Sequence, residues 1–153
     1  MYSKLITFFV LFGLGQLTFA QDITGIWQSI DDLTGAPKGQ VEITQEADGT
    51  YTGKITKITP RPGYKPKEVC TGCPAPYTNQ PILGLNAITK LKHKRDLIYT
   101  GGRILDPNSG RVYSLAAKLS SNGQRLHLRG YVGVSVLGRS QIWIRVNNNK
   151  AAE

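Results

Sequence analysis

Beyond the first twenty residues, apolar and polar positions alternate along short runs separated by turn residues, which is the period of strands with one buried face. In "QVEITQ" (Gln40 to Gln45), Val41 and Ile43 share one side while Gln40, Glu42 and Thr44 share the other. The Asp48-Gly49 pair then marks a hairpin into "TYTGKITKI" (Thr50 to Ile58). With "GIWQS" (Gly25 to Ser29) at the start, the later runs Leu83 to Lys92, Leu97 to Leu105, Arg111 to Ser120, Gln124 to Val132 and Arg139 to Val146 bring the expected strands to eight. Helical periodicity is scarce. Six of the eight prolines fall between Pro60 and Pro81; each lacks the N–H that a ladder or helix requires, so residues 60–81 are expected to form a long loop.

Eight short strands joined mostly by tight turns bury one face each most economically as a sheet closed on itself. The expected fold is all-β, a single-domain eight-stranded antiparallel barrel over residues 21–153. A β-sandwich gives the same strand signature and is the alternative.

The opening twenty residues carry Lys4, an uncharged apolar run from Leu5 to Gly15 and small residues at Thr18 and Ala20, the pattern of a cleaved secretory leader. Eleven apolar residues fall short of the ~20 that span a bilayer, so no stable transmembrane segment is expected after processing. No cysteine follows the expected cleavage point, which argues against lipid modification there. The protein is read as exported, periplasmic or secreted. Without Lys4 the chain carries 18 basic and 10 acidic side chains, a surplus of +8. Export makes nucleic acid an unexpected partner, so the surplus points to anionic lipid, glycan or a small acidic ligand, or to a basic surface that only maintains solubility.

The only cysteines stand in "EVCTGCPAP" (Glu68 to Pro76). A redox CxxC needs a helix starting at the motif to lower the thiol pKa, and Pro74, Pro76 and Pro81 leave no room for one. A zinc knuckle would have to draw on His93 and His127, whose spacings match no usual ligand pattern. In an oxidising compartment Cys70 and Cys73 most simply pair, as a clamp on the proline-rich loop. No metal or cofactor is called for.

Gly25-Ile26-Trp27 in the first strand and Arg145 in the last are similar to the lipocalin signature, in which the tryptophan closes one barrel end and the arginine packs across it. The ordered set GxW, CxxC followed by "QPILGL", "GGRILDPNSGRVY", "LRGYVG" and "GRSQIWIR" resembles a family of small exported bacterial domains of unknown function with lipocalin-like barrels. The resemblance implies that fold and a barrel interior. It carries over neither an activity nor a lipocalin ligand.

In the last strand Arg139, Gln141, Trp143 and Arg145 oppose Ile142, Ile144 and Val146; in the strand before it Arg125, His127, Arg129 and Tyr131 oppose Leu126, Leu128 and Val132. The family motifs contain Arg129, Tyr131, Gln141, Trp143 and Arg145, and those five are expected to face inward. Tyr99 shares a face with Arg103, and Tyr113 with Arg111 and Leu115. Buried guanidinium groups require partners, which suggests a lumen for a small amphipathic, anionic or lipid-like ligand. The expected lining is Trp27, Tyr99, Arg103, Tyr113, Arg129, Tyr131, Gln141, Trp143 and Arg145, with Arg129 and Arg145 pairing the acid group. Two alternatives are a filled barrel with Arg145 stacked on Trp27 and paired with a carboxylate such as Asp106, and an envelope module that docks on a partner without a small ligand. The chain is read as non-enzymatic: His93 sits in the charged "KLKHKR", His127 beside arginines, and no nucleophile elbow or P-loop occurs.

Overall fold

The computed structural model describes residues 21–134 and 136–147; the expected leader and the polar tail from residue 148 lie outside them. Eight strands run in order as an up-and-down meander: β1 (Gly25–Ile30), β2 (Pro37–Gln45), β3 (Tyr51–Ile58), β4 (Asn86–Arg95), β5 (Ile98–Asp106), β6 (Arg111–Leu119), β7 (Arg125–Tyr131) and β8 (Gly138–Arg145). They form one closed barrel. Antiparallel pairing of β1 with β8, Trp27 opposite Arg145 and Ser29 opposite Trp143, joins the ends. Closure leaves no edge strand unpaired and rules out the sandwich.

Pairing also determines which side chains share the interior, because residues directly opposite in neighbouring strands point to the same face. Trp27 lies opposite Val41, Ile43 opposite Gly53, Ala117 opposite Leu128 and Leu126 opposite Trp143. The buried core accordingly gathers Trp27, Ile43, Tyr51, Ile88, Leu91, Tyr99, Leu115, Leu119, Leu126 and Trp143. In β5 the strict alternation breaks at Gly101-Gly102, where the register against β6 shifts. An extra residue is inserted there, so Tyr99, Gly102 and Ile104 follow one inner face. A Cβ on Gly102 would stand 2.8 Å from Leu91 Cδ1, so the bulge also lets β4 and β5 approach closely.

The loops alternate between the two barrel ends. Residues 31–36, 59–85, 107–110 and, between β7 and β8, 132–134 and 136–137 lie at one end; residues 46–50, 96–97 and 120–124, with the incoming Asp22–Thr24, lie at the other. The long 59–85 loop has its own small core, in which Cys70, Cys73, Ile82 and Leu85 pack on Ala87 and Leu105. It is anchored to β3 by backbone bonds from Gly84 N to Ile55 O (2.7 Å) and from Ile55 N to Leu85 O (2.9 Å). Cys70 and Cys73 form a disulfide. Gly110, at φ 72°, packs so closely under this loop that a Cβ would lie 2.4 Å from Gly72 O.

Candidate binding site

The two barrel ends differ. At the end reached by Asp22–Thr24, Trp27 is fully buried and donates from Nε1 to Ile23 O at 2.9 Å. Arg145 stacks over its ring, 4.3 Å from guanidinium carbon to centroid. The same guanidinium donates to three backbone carbonyls at 2.6 Å each: Nε to Gly123, Nη1 to Thr24 and Nη2 to Asp22. Tyr51 and Tyr99 meet edge to face beneath it, with ring centroids 5.4 Å apart. Burial pulls the Arg145 pKa below its ordinary value and pushes Tyr99 up to about 12. This end is closed and filled.

The opposite half is hollow. A cavity of about 490 Å³ opens between the 59–85 loop, the 107–110 loop and the β7–β8 connection, within the range of small-molecule sites. Val41, Ile55, Ile104, Leu115, Leu128 and Trp143 make it apolar in depth. Gly130 leaves room on the β7 wall, since a Cβ there would meet only Ile104 and Tyr113, both at 3.7 Å. Gln141, also on the lining, accepts from Trp143 Nε1 at 3.2 Å through its carbonyl oxygen. Around the mouth stand Lys38, Lys57, Arg61, Lys67 and Arg139.

Two of these cations hold the mouth together. Arg61 Nη1 bonds Asp31 Oδ2 at 2.6 Å and Arg139 Nη2 bonds Asp32 Oδ2 at 2.5 Å. The Arg61 guanidinium lies 4.5 Å over the Tyr64 ring, and its buried Nε has no acceptor among the described residues. Arg61, followed by backbone donors of the 31–36 loop, holds the Asp31 carboxyl well below the usual carboxylate range. Tyr64 and Lys67 tie the long loop to Asn108, both at 2.9 Å.

Of the nine side chains expected to line the lumen, Tyr113, Gln141 and Trp143 line the cavity, and Tyr131 reaches its rim from the end of β7. Trp27, Tyr99 and Arg145 instead fill the closed end. Arg129 and Arg103 are corrections, because both lie on the outer wall. Arg129 pairs with Ser140 across from β8 and donates to Ser140 Oγ and Val136 O, each at 3.0 Å; Leu126 and Leu128 take the inner face of β7. Arg103 is turned outward by the Gly101-Gly102 bulge. Arg145 is no acid clamp, since its donors already meet three carbonyls. Nor does it pair with Asp106, which sits at the mouth end and accepts from Asn108 N and Ser109 Oγ. His127 faces out from β7, and His93 Nε2 donates to Asp96 O at 2.8 Å in the exposed β4–β5 turn.

The rim cations Lys38, Lys57, Arg61 and Lys67 were not among the expected site residues. Once Trp27 and Arg145 mark the closed end, strict up-and-down connectivity assigns the 31–36, 59–85 and 107–110 loops and the β7–β8 connection to the mouth, and that was the available signal.

A barrel closed by a stacked tryptophan and arginine, open at the other end and matched over residues 25–145 by the family described as "Uncharacterized protein conserved in bacteria (DUF2147)", settles the relationship. The chain belongs to that bacterial family. No curated protein matches it. Among solved structures it is similar to protein HP1028 from the human pathogen Helicobacter pylori, described as belonging to the lipocalin family, with a TM-score of 0.69 and 21% identity. The match covers 83% of this chain and 84% of that one. At that identity the likeness concerns the fold, which is lipocalin-like in this DUF2147 member too.

Proposed function

We propose that this protein is an exported, non-enzymatic carrier that holds a small amphipathic anion in its barrel, apolar part inward and acid group at the mouth. The carrying observation is the polarity gradient of the 490 Å³ cavity, from Leu115, Leu128 and Trp143 in its depth to Lys38, Lys57 and Arg61 at its rim. Apolar burial supplies affinity without direction. The rim cations supply direction, because their N–H groups at the mouth can pair an acid group. Neither histidine lines the cavity, which supports binding over turnover. The expected leader and the Cys70–Cys73 disulfide support export.

The test pairs native mass spectrometry of the purified protein with titration by anilinonaphthalene sulfonate, an amphipathic anion. We expect a saturable fluorescence rise that Gly130→Leu abolishes by filling the lumen, and that Lys38→Ala with Lys57→Ala weakens about tenfold. Uptake by a correctly folded Gly130→Leu protein equal to that of the wild type would sink the reading. The second reading, docking without a small ligand, draws on the exposed Ile142 and Ile144 of the outer β8 wall and predicts no saturable uptake.

A further inference from the structure

Most proteins hide large aliphatic side chains in loops or scatter them singly. Here nine remain exposed among the described residues, and seven of them sit in loops at the mouth end, the other two being Ile142 and Ile144 on β8. None lies in the loops of the closed end. The concentration is sharpest in the β7–β8 connection, where Val136 is 81% and Leu137 70% exposed and Val132 and Val134 are each more than half exposed. Leu33, at 93%, projects from the 31–36 loop, which Arg139 ties to the base of the β7–β8 connection through Asp32. These side chains stand on separate protruding loops rather than along one groove.

Val132 and Leu137 border the same opening as Lys38, Lys57 and Lys67, so aliphatic tips and cations share one rim. Of the aspartates at the mouth end, Asp31 and Asp32 are taken by Arg61 and Arg139, and Asp106 accepts from Asn108 N and Ser109 Oγ. Among the described residues Lys38, Lys57 and Lys65 enter no ion pair; Lys57 and Lys65 are exposed and Lys38 is half-buried. A set of aliphatic tips flanked by unneutralised lysines matches a surface that is anionic at the headgroups and apolar just below them. A folded protein partner would instead favour a contiguous, shape-complementary patch with buried anchors.

We propose that the mouth rim docks on an anionic lipid bilayer, with Leu33, Val132, Val134, Val136 and Leu137 entering the interfacial region and Lys38, Lys57 and Lys65 pairing with acidic headgroups. The docked barrel holds its opening against the bilayer, so that an amphipathic molecule passes between the two without crossing water. Docking itself does not depend on what the lumen holds.

The experiment is cosedimentation of the purified protein with phosphatidylcholine vesicles, with and without phosphatidylglycerol. The wild type is expected to bind only when phosphatidylglycerol is present and to be released by salt. Val136→Asp with Leu137→Asp is expected to weaken binding at least about tenfold, and so is Lys38→Ser with Lys57→Ser and Lys65→Ser. Lys94→Ser with Arg95→Ser, at the closed end, is expected to change nothing. Gly130→Leu, which blocks the lumen, is expected to bind vesicles normally, so failure of the carrier reading and failure of docking give different results. Because Lys57, Lys65, Val136 and Leu137 are exposed and Lys38 is only half-buried, each rim variant should melt close to the wild type. The proposal is overturned by absence of vesicle binding, by equal binding to phosphatidylcholine alone, or by equal loss in the closed-end variant. It is also overturned if the wild type is a dimer that Val136→Asp with Leu137→Asp makes monomeric while vesicle binding stays the same.

Discussion

Arg145 shows how little a residue's charge says about its role until its donors are counted. A guanidinium in a barrel interior suggests an acid partner, yet here Nε, Nη1 and Nη2 each meet a backbone carbonyl and the flat face lies on Trp27. These carbonyls belong to the entering segment and to the β6–β7 turn, so one side chain sews the N-terminal strap, the last strand and a hairpin across the closed end. Arg145→Ala should therefore cost stability, about 3 kcal/mol, without altering anion uptake by the protein that remains folded. Lysine, a point charge that cannot fork toward three acceptors, should recover less than half of the loss. Urea denaturation followed by Trp27 and Trp143 fluorescence measures both. An alanine variant of wild-type stability that no longer binds the anion would return Arg145 to the site.

At the level of elements, the 59–85 loop is a structural unit in its own right, because the Cys70–Cys73 disulfide sits in a buried cluster with Ile82, Leu85 and Leu105. Closing a four-residue ring restricts the unfolded chain by about 2 kcal/mol. Replacing both cysteines by alanine should lower the unfolding free energy by about that amount and loosen the loop that carries Arg61 and Lys67, which hydrogen exchange at Cys70, Asn79 and Ile82 amides would register. Unchanged exchange and stability would mean that packing alone holds the loop. The strands and the long loop were legible from alternation and proline spacing, because those follow from backbone geometry. Orientation was legible only in part. In β7 the plain rule, aliphatic inward, holds for Leu126 and Leu128, while in β8 it fails, with Trp143 inside and Ile142 outside. Both strands present the same conflict when read alone; the register that places Leu126 opposite Trp143 resolves it. Placing Trp143 inside therefore required the leucines inside and Arg129 outside. Arg103 was misplaced for a different reason: the Gly-Gly pair in β5 is a bulge signal that reverses the parity of everything after it.

As a whole, the molecule is a packed half and a hollow half sharing one set of strands, and its pH dependence should come from the packed half. Tyr51 and Tyr99 lie in that core, and burial is the first cause that raises both hydroxyl pKa values, Tyr99 to about 12, with nearby negative charge adding to it. A tyrosine whose pKa is higher in the folded than in the unfolded chain favours folding while it is neutral. Its contribution is complete below the ordinary value of 10.0 and is lost as pH rises from there through about 12. Because the barrel closes through β1 and β8 beside these rings, ionisation there should unfold the whole meander cooperatively rather than fray one hairpin. Urea midpoints should hold steady up to pH ~9 and fall between pH ~10 and ~12, with tyrosinate absorbance appearing in step with loss of the strand signal. Tyr99→Phe removes one ionising group while keeping the ring, so its midpoint should fall less steeply over the same interval, whatever its stability at neutral pH. An alkaline limb as steep in Tyr99→Phe as in the wild type would place the titrating group elsewhere and separate the closed end from the control of folding.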